Sequence, residues 1–156
     1  MRAVMALSGG MDSTALLCRL LADGYEVSCI SYDYGQKHVI ELERAKANIA
    51  YLSDHGISVK HRIVDLSGVM GIFHSALIND EIDVPEGHYE EEQMKSTVVP
   101  NRNAIFSSIL YGYALSIATK EDTDVIIALG VHSGDHEIYP DCRPEFYDSL
   151  GESFAI

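Results

Sequence analysis

The sequence predicts an α/β domain built on a doubly wound parallel sheet of about five strands, with helices on both faces. Three observations predict it. Strand-like and helix-like segments alternate through the first half of the chain. A Ser-Gly-Gly turn joins the first strand directly to the first helix. The 156 residues, 47% of them hydrophobic, suffice for a single domain over 1–156 with a sizeable core.

Ala3–Leu7 is a short apolar run and reads as a central strand. Asp12–Ala22 carries Ala15, Leu16, Leu17, Leu20 and Leu21 at helical spacing and stops at Asp23-Gly24, a suitable terminal glycine. Glu26–Tyr32 reads as a second strand. Val39–His55 is an amphipathic helix that sets Ile40, Ala45, Ile49 and Leu52 against Glu41, Glu43, Arg44 and Lys46, and Gly56 ends it. In a third strand Val59, His61 and Ile63 alternate with Lys60 and Arg62, so one face is wetter and the strand lies near an edge. This order implies parallel pairing with right-handed crossovers. The second half continues it. Asn103 is expected to cap a long apolar helix over about Ala104–Thr119, Val125–Leu129 forms a fourth strand, and Pro144 opens a last helix that the end of the sequence cuts short near Ile156. Between them Phe73–Pro100 is acidic and aperiodic, and residues 74–100 are expected to form a lid or mobile insertion.

A formal net charge of −13 argues against non-specific binding to nucleic acid or to an acidic membrane, which needs clustered Lys and Arg. No apolar run approaches the roughly 20 residues of a membrane span, and Met1–Leu7 runs into the glycine turn without a cleavage-site pattern. The expectations are therefore a cytoplasmic compartment, small-molecule substrates, no direct nucleic acid partner and no membrane; a homodimer is left open. The three cysteines make no Cys-x-x-Cys pair, so a closed zinc site or redox dithiol is not expected. Cys18 and Cys29 read as buried packing residues, and Cys142 sits among polar loop residues.

Ser8-Gly9-Gly10-Met11-Asp12-Ser13-Thr14 follows the first strand and opens the first helix. The two glycines permit a tight turn and close approach of a ligand, and the helix N-terminus offers free N–H groups to an anion. Ser8, Ser13 and Thr14 add hydroxyl donors. A Walker A loop needs Gly-Lys followed by Ser or Thr, and no lysine stands here. An aspartate beside phosphates is repulsive unless a cation lies between them, so Asp12 implies Mg2+. The run resembles the signature of the PP-loop ATP pyrophosphatases, whose fold is of the adenine nucleotide alpha hydrolase type. These use ATP to adenylate a carbonyl or carboxylate oxygen and release pyrophosphate.

Three further segments follow predicted strands or open helices. Asp33-Tyr34-Gly35-Gln36-Lys37-His38 offers an aromatic face, an amide, a cation and an imidazole, or is simply the turn that opens the next helix. In Val99-Pro100-Asn101-Arg102-Asn103 the cation of Arg102 at a helix start opposes the helix dipole, which an anionic ligand would explain; a solvated arginine is the alternative. Gly130–Phe146 gathers Asp, His, Tyr and Arg on a strand-end loop, either a site or an irregular surface loop. His132 and His136 lie in a stretch with Gly and Pro, which does not suit a helical metal pair.

Together the four segments resemble the 7-cyano-7-deazaguanine (preQ0) synthase family: Leu-Ser-Gly-Gly-Met-Asp-Ser-Thr at 7–14, Asp-Tyr-Gly-Gln-Lys-His at 33–38, Val-Pro-Asn-Arg-Asn at 99–103 and Tyr-Pro-Asp-Cys-Arg-Pro-Glu-Phe at 139–146. The resemblance implies a carbon–nitrogen ligase of queuosine precursor biosynthesis that converts 7-carboxy-7-deazaguanine and ammonia to the nitrile at the expense of ATP. It assigns Leu7, Ser8, Gly9, Gly10, Met11, Asp12, Ser13, Thr14, Ala15, Leu16 and Leu17 to ATP, with Asp12 placing Mg2+. Asp12, Lys37 and Arg102 become the catalytic candidates, and Tyr34, Gln36, His38, Asp141 and Arg143 the substrate-binding candidates. Members of the family also carry a cysteine-ligated Zn2+ module beyond the point where this sequence stops, and those ligands are not in this chain. Two other readings stand beside this one: another PP-loop enzyme, amide-forming or tRNA-modifying, and a catalytically impaired nucleotide-binding remnant or partner subunit.

Overall fold

The computed structural model of the chain describes residues 1–35, 40–73, 99, 101–131 and 140–155. Four strands are described: β1 (Arg2–Ala6), β2 (Glu26–Asp33), β3 (Lys60–Asp65) and β4 (Val125–Ala128). They pair in parallel in the order β3-β2-β1-β4, with Met5 opposite Cys29 on one side and Ala128 on the other. The sheet is thus one strand short of the expected five among the described residues. The expected lid lies outside them, apart from Phe73 and Val99 at its ends.

Both faces of the two central strands are covered, so their residues are buried continuously rather than alternately. On one face Met5, Leu7 and Cys29 pack against Leu17 and Leu20 of α1 (Met11–Ala22) and Ala45 of α2 (Ile40–Asp54). On the other, Val4, Ile30 and Tyr32 pack against Leu110 and Ala114 of the long α4 (Arg102–Glu121); Met70 of the short α3 (Ser67–Met70) joins this layer. A last helix, α5 (Pro144–Phe154), begins at Pro144 and follows a single 3-10 turn, Pro140–Cys142. Among the described residues no helix is long and apolar enough to cross a membrane.

Several expectations shift for geometric reasons. Ile40 is 55% exposed because the buried stripe of α2 runs Leu42, Ala45, Ile49, Leu52, and a residue two positions before Leu42 points the opposite way. Cys18 is exposed, since the buried positions of α1 are Ser13, Leu17 and Leu20 and Cys18 stands roughly 100° around the helix from Leu17. Cys29, by contrast, is a core residue whose thiol burial pushes up to about 12. Asn103 does not cap α4. The helix starts two residues earlier, after Asn101, whose backbone is left-handed (φ 58) and whose side chain makes no capping bond. The third strand lies at an edge as expected, but Ile63 is exposed and Val64 packs inward. The first two helices end at the expected glycines: Tyr25 N–H returns to the Leu20 carbonyl at 3.0 Å and Ile57 N–H to that of Leu52 at 2.9 Å.

β1 leads straight into the glycine turn, so its last residues must be held firmly. Leu7 N–H donates to the Ile30 carbonyl (2.8 Å), and the Leu7 carbonyl accepts from the Ser31 hydroxyl (2.5 Å). The Ser31 proton is thereby committed, so Ser31 Oγ accepts at 2.8 Å from His61 Nε2–H on β3. Burial, then the charge of Lys46, lowers the His61 pKa below the ordinary histidine value. The native state therefore resists a proton that the unfolded chain takes up near its own pKa of about 6.5. This contribution is present above that pH and is lost as pH falls through the window between the two pKa values. Thermal melts of His61→Gln should lose less stability than the parent chain on going from about pH 7.5 to about pH 5; identical pH profiles would contradict this.

Candidate active site

The strand order reverses between β1 and β4: successive units move from β1 through β2 to β3, and the chain then returns to the far side of β1. Ligands of open α/β sheets bind outside the strand C-termini at such a point. A cavity of about 340 Å3 lies there, walled by Leu7 and Ser8 after β1, Tyr32 and Tyr34 at the end of β2, Gly130 and Val131 after β4, and the first turns of α1, α2 and α4.

One rim is the glycine turn at residues 8–14. Gly10 stands at the N-cap of α1 and supplies no side-chain cap, and the N–H groups of Met11, Asp12 and Ser13 have no protein partner among the described residues. Such a terminus carries roughly half a positive charge. The loop is knitted from within: Ser8 N–H donates to Ser13 Oγ (3.2 Å), Gly10 N–H to Ser8 Oγ (3.2 Å), and the Ser13 hydroxyl to the Gly10 carbonyl (3.2 Å). The Thr14 hydroxyl also donates to the Gly10 carbonyl (2.8 Å) and accepts from Asn48 Nδ2–H of α2 (2.9 Å), so its proton serves the scaffold. Two glycines allow the close packing. Gly9 has φ +84, and a Cβ there would lie 2.3 Å from the Glu41 carbonyl oxygen; a Cβ on Gly130 would lie 3.3 Å from the backbone nitrogen of Ser13.

The opposite wall is aromatic. The Tyr32 ring stacks on Phe106 of α4 (3.9 Å between centroids, 9° apart), and Tyr34 tilts against the same ring at 5.6 Å. The Tyr32 hydroxyl donates to the Phe106 carbonyl (2.9 Å), and burial raises its pKa, so it stays protonated. Arg102, half-buried at the first position of α4, lines the cavity and makes no salt bridge among the described residues. A cation held there, against the helix dipole, is set for an anion.

The remaining predicted residues separate. Leu7, Ser8, Ser13, Tyr34 and Arg102 share the cavity. Asp12 is exposed beside the loop rather than in the cavity wall, and Met11 is 84% exposed. Ala15 faces solvent, while Leu16 and Leu17 pack in the core. Gln36, Lys37 and His38 lie outside the described residues, as do His132 and His136. Asp141 takes the place expected for Asn103: its carboxylate accepts the backbone N–H of Asn103 (2.9 Å), while the Asn103 side chain donates to the Asp141 carbonyl (3.1 Å) and to Cys142 Sγ (3.4 Å). Asp141 therefore caps α4 from a distant loop. Arg143 is exposed at the N-cap of α5 and does not line the cavity.

Sequence reasoning passed over Glu41, Phe106, Ser107 and Tyr147, all of which line the cavity. Ser107 and Tyr147 each bury a hydroxyl with no partner among the described residues. The sequence carries no signal for Ser107, one of two adjacent serines in an apolar helix. For Mg2+, an exposed Asp12 at the loop and Glu41 in the cavity wall fit an ion that takes one or two carboxylates and otherwise phosphate and water oxygens. No group of three or more His, Cys, Asp or Glu among the described residues could hold a metal by itself.

The fold and the loop define an α/β domain of the PP-loop class. A family model described as queuosine biosynthesis protein QueC matches residues 2–156, and the chain belongs to that family. It is 46% identical over 155 residues to the 7-cyano-7-deazaguanine synthase of Pseudoalteromonas translucida, covering 99% of this chain and 66% of that protein. The corresponding enzyme of Methanoregula boonei is 47% identical over 156 residues, covering 100% and 67%. The chain thus spans about two thirds of the length of the curated relatives it matches. A solved structure, the predicted subunit of a tRNA methyltransferase from Methanocaldococcus jannaschii, superposes with a TM-score of 0.54 at 18% identity over 100% of this chain and 65% of that one, a likeness of fold alone.

Removing the Asp141 cap should be visible in stability. Asp141→Ala is expected to lower the unfolding free energy by about 1–2 kcal/mol in urea denaturation. Asp141→Asn, which keeps an acceptor oxygen, should lose less; equal losses would show that the carboxylate oxygen is not what caps α4.

Proposed function

We propose that this chain is an ATP-dependent carbon–nitrogen ligase that converts 7-carboxy-7-deazaguanine and ammonia to 7-cyano-7-deazaguanine, working on small molecules in the cytoplasm. The observation that carries the reading is the row of amides at Met11–Ser13, which have no partner among the described residues and open beside a cavity at the sheet's switch point. Family membership supports the substrate.

In this reading the phosphates of ATP lie on the N-terminus of α1, where Asp12 would hold a Mg2+ whose charge would favour departure of pyrophosphate. The substrate lies in the cavity against the Tyr32–Phe106 wall. Its carboxylate oxygen attacks the α-phosphorus and pyrophosphate leaves. Ammonia then adds to the acyl carbon and AMP departs with the original oxygen, giving an amide. The amide oxygen attacks a second ATP, pyrophosphate leaves again, and loss of AMP with the amide protons forms the nitrile. Arg102 and, on sequence grounds, Lys37 hold the reacting anions, and Gln36 and His38 are candidates for further substrate contacts. The protein's work is positioning and charge stabilisation.

Mass spectrometry after incubation with ATP, Mg2+, ammonium and the carboxylate should find the nitrile, AMP and pyrophosphate. Asp12→Ala should cut kcat about a hundredfold or more. ATP uptake without any product would overturn the assignment.

A further inference from the structure

Two hydroxyls at the cavity are left without work. Ser107 is 2% exposed on the sheet-facing side of α4, and Tyr147 stands on α5. Both line the cavity, and neither Ser107 Oγ nor the Tyr147 hydroxyl has a partner among the described residues. A buried polar group without a partner is destabilising, and native proteins rarely keep one without a use. Neighbouring hydroxyls are differently placed: Ser13, Thr14, Ser31 and Tyr32 all donate to backbone carbonyls.

We propose that Ser107 and Tyr147 are substrate-specificity residues, which hydrogen-bond the polar edge of a planar heterocycle whose face lies along the Tyr32–Phe106 wall. The inference rests on the function proposed above and deepens it. It does not draw on Asp141, a carboxylate oxygen of which caps α4. Neutral hydroxyls can both donate and accept, which suits the alternating donors and acceptors of a purine-like edge better than it suits phosphate. Phosphate is served instead by the α1 amides and Arg102. Less than 1 Å2 of either oxygen is exposed in the free protein, so the heterocycle reaches them as the wall parts. Tyr147 stands on α5, which has no fully buried residue to hold it against such a shift.

The test uses Ser107→Ala and Tyr147→Phe in this chain, with thermal unfolding of the free protein and calorimetric titrations of 7-carboxy-7-deazaguanine and, separately, of ATP with Mg2+. Each variant should unfold at an unchanged or higher temperature, because an unsatisfied hydroxyl has been removed. Each should bind ATP as the parent does, and bind the carboxylate about tenfold more weakly. Unchanged affinity for the carboxylate in both variants would overturn the inference alone. A lowered unfolding temperature would also overturn it, since the hydroxyls would then be structural. A parent chain that takes up ATP but not the carboxylate would instead refute the function on which the inference rests.

Discussion

The amides of Met11, Asp12 and Ser13 have no partner within the described protein, and the surrounding architecture keeps them in that condition. A helix N-terminus ordinarily satisfies such groups with a side-chain cap. Here the capping position is a glycine, and the nearby hydroxyls of Ser8 and Ser13 are turned into the loop's own network. The terminus is also pinned from three sides: Gly9 against α2, Gly130 against Ser13, and Asn48 through Thr14. Rigid, uncapped and positive, the loop is preorganised for an anion, and the energetic deficit of the free state becomes affinity when one arrives.

The same division runs through the rest of the site. Some polar groups hold the frame: His61 and Ser31 fix the end of β1, Tyr32 ties β2 to α4, and Asp141 caps α4 from the loop before α5. Others have no partner among the described residues: the α1 amides, the Arg102 guanidinium, and the hydroxyls of Ser107 and Tyr147. The first set holds the frame around the cavity, and the second leaves polar groups beside it that a ligand can satisfy. Apart from His61, near the start of β3, both sets lie towards the C-terminal ends of the strands, so the parallel sheet itself brings them together.

The parts of this arrangement that depend on short-range pattern were legible in the sequence. Strand-like runs placed β1, β2 and β4, alternation of apolar with charged residues placed β3, the glycines at 24 and 56 ended the first two helices, and the Ser-Gly-Gly-x-Asp-Ser run located the loop. What was not legible depends on contacts between distant segments. Asn103 looked like a cap because cap preference is a local statistic, whereas the actual cap, Asp141, comes from 38 residues further along. Cys18 and Ile40 looked buried because their composition fitted, and only the phase of each helix decides otherwise. Ser107 was invisible because a serine in an apolar helix carries no signal until its neighbours are known to leave it unpaired.

The most direct measurement of the central claim is an amide NMR titration of this chain with ATP and Mg2+. The largest shifts should fall on the backbone amides of residues 10–13 and on Gly130, and should saturate. Shifts confined to other surfaces, or none at all, would contradict it.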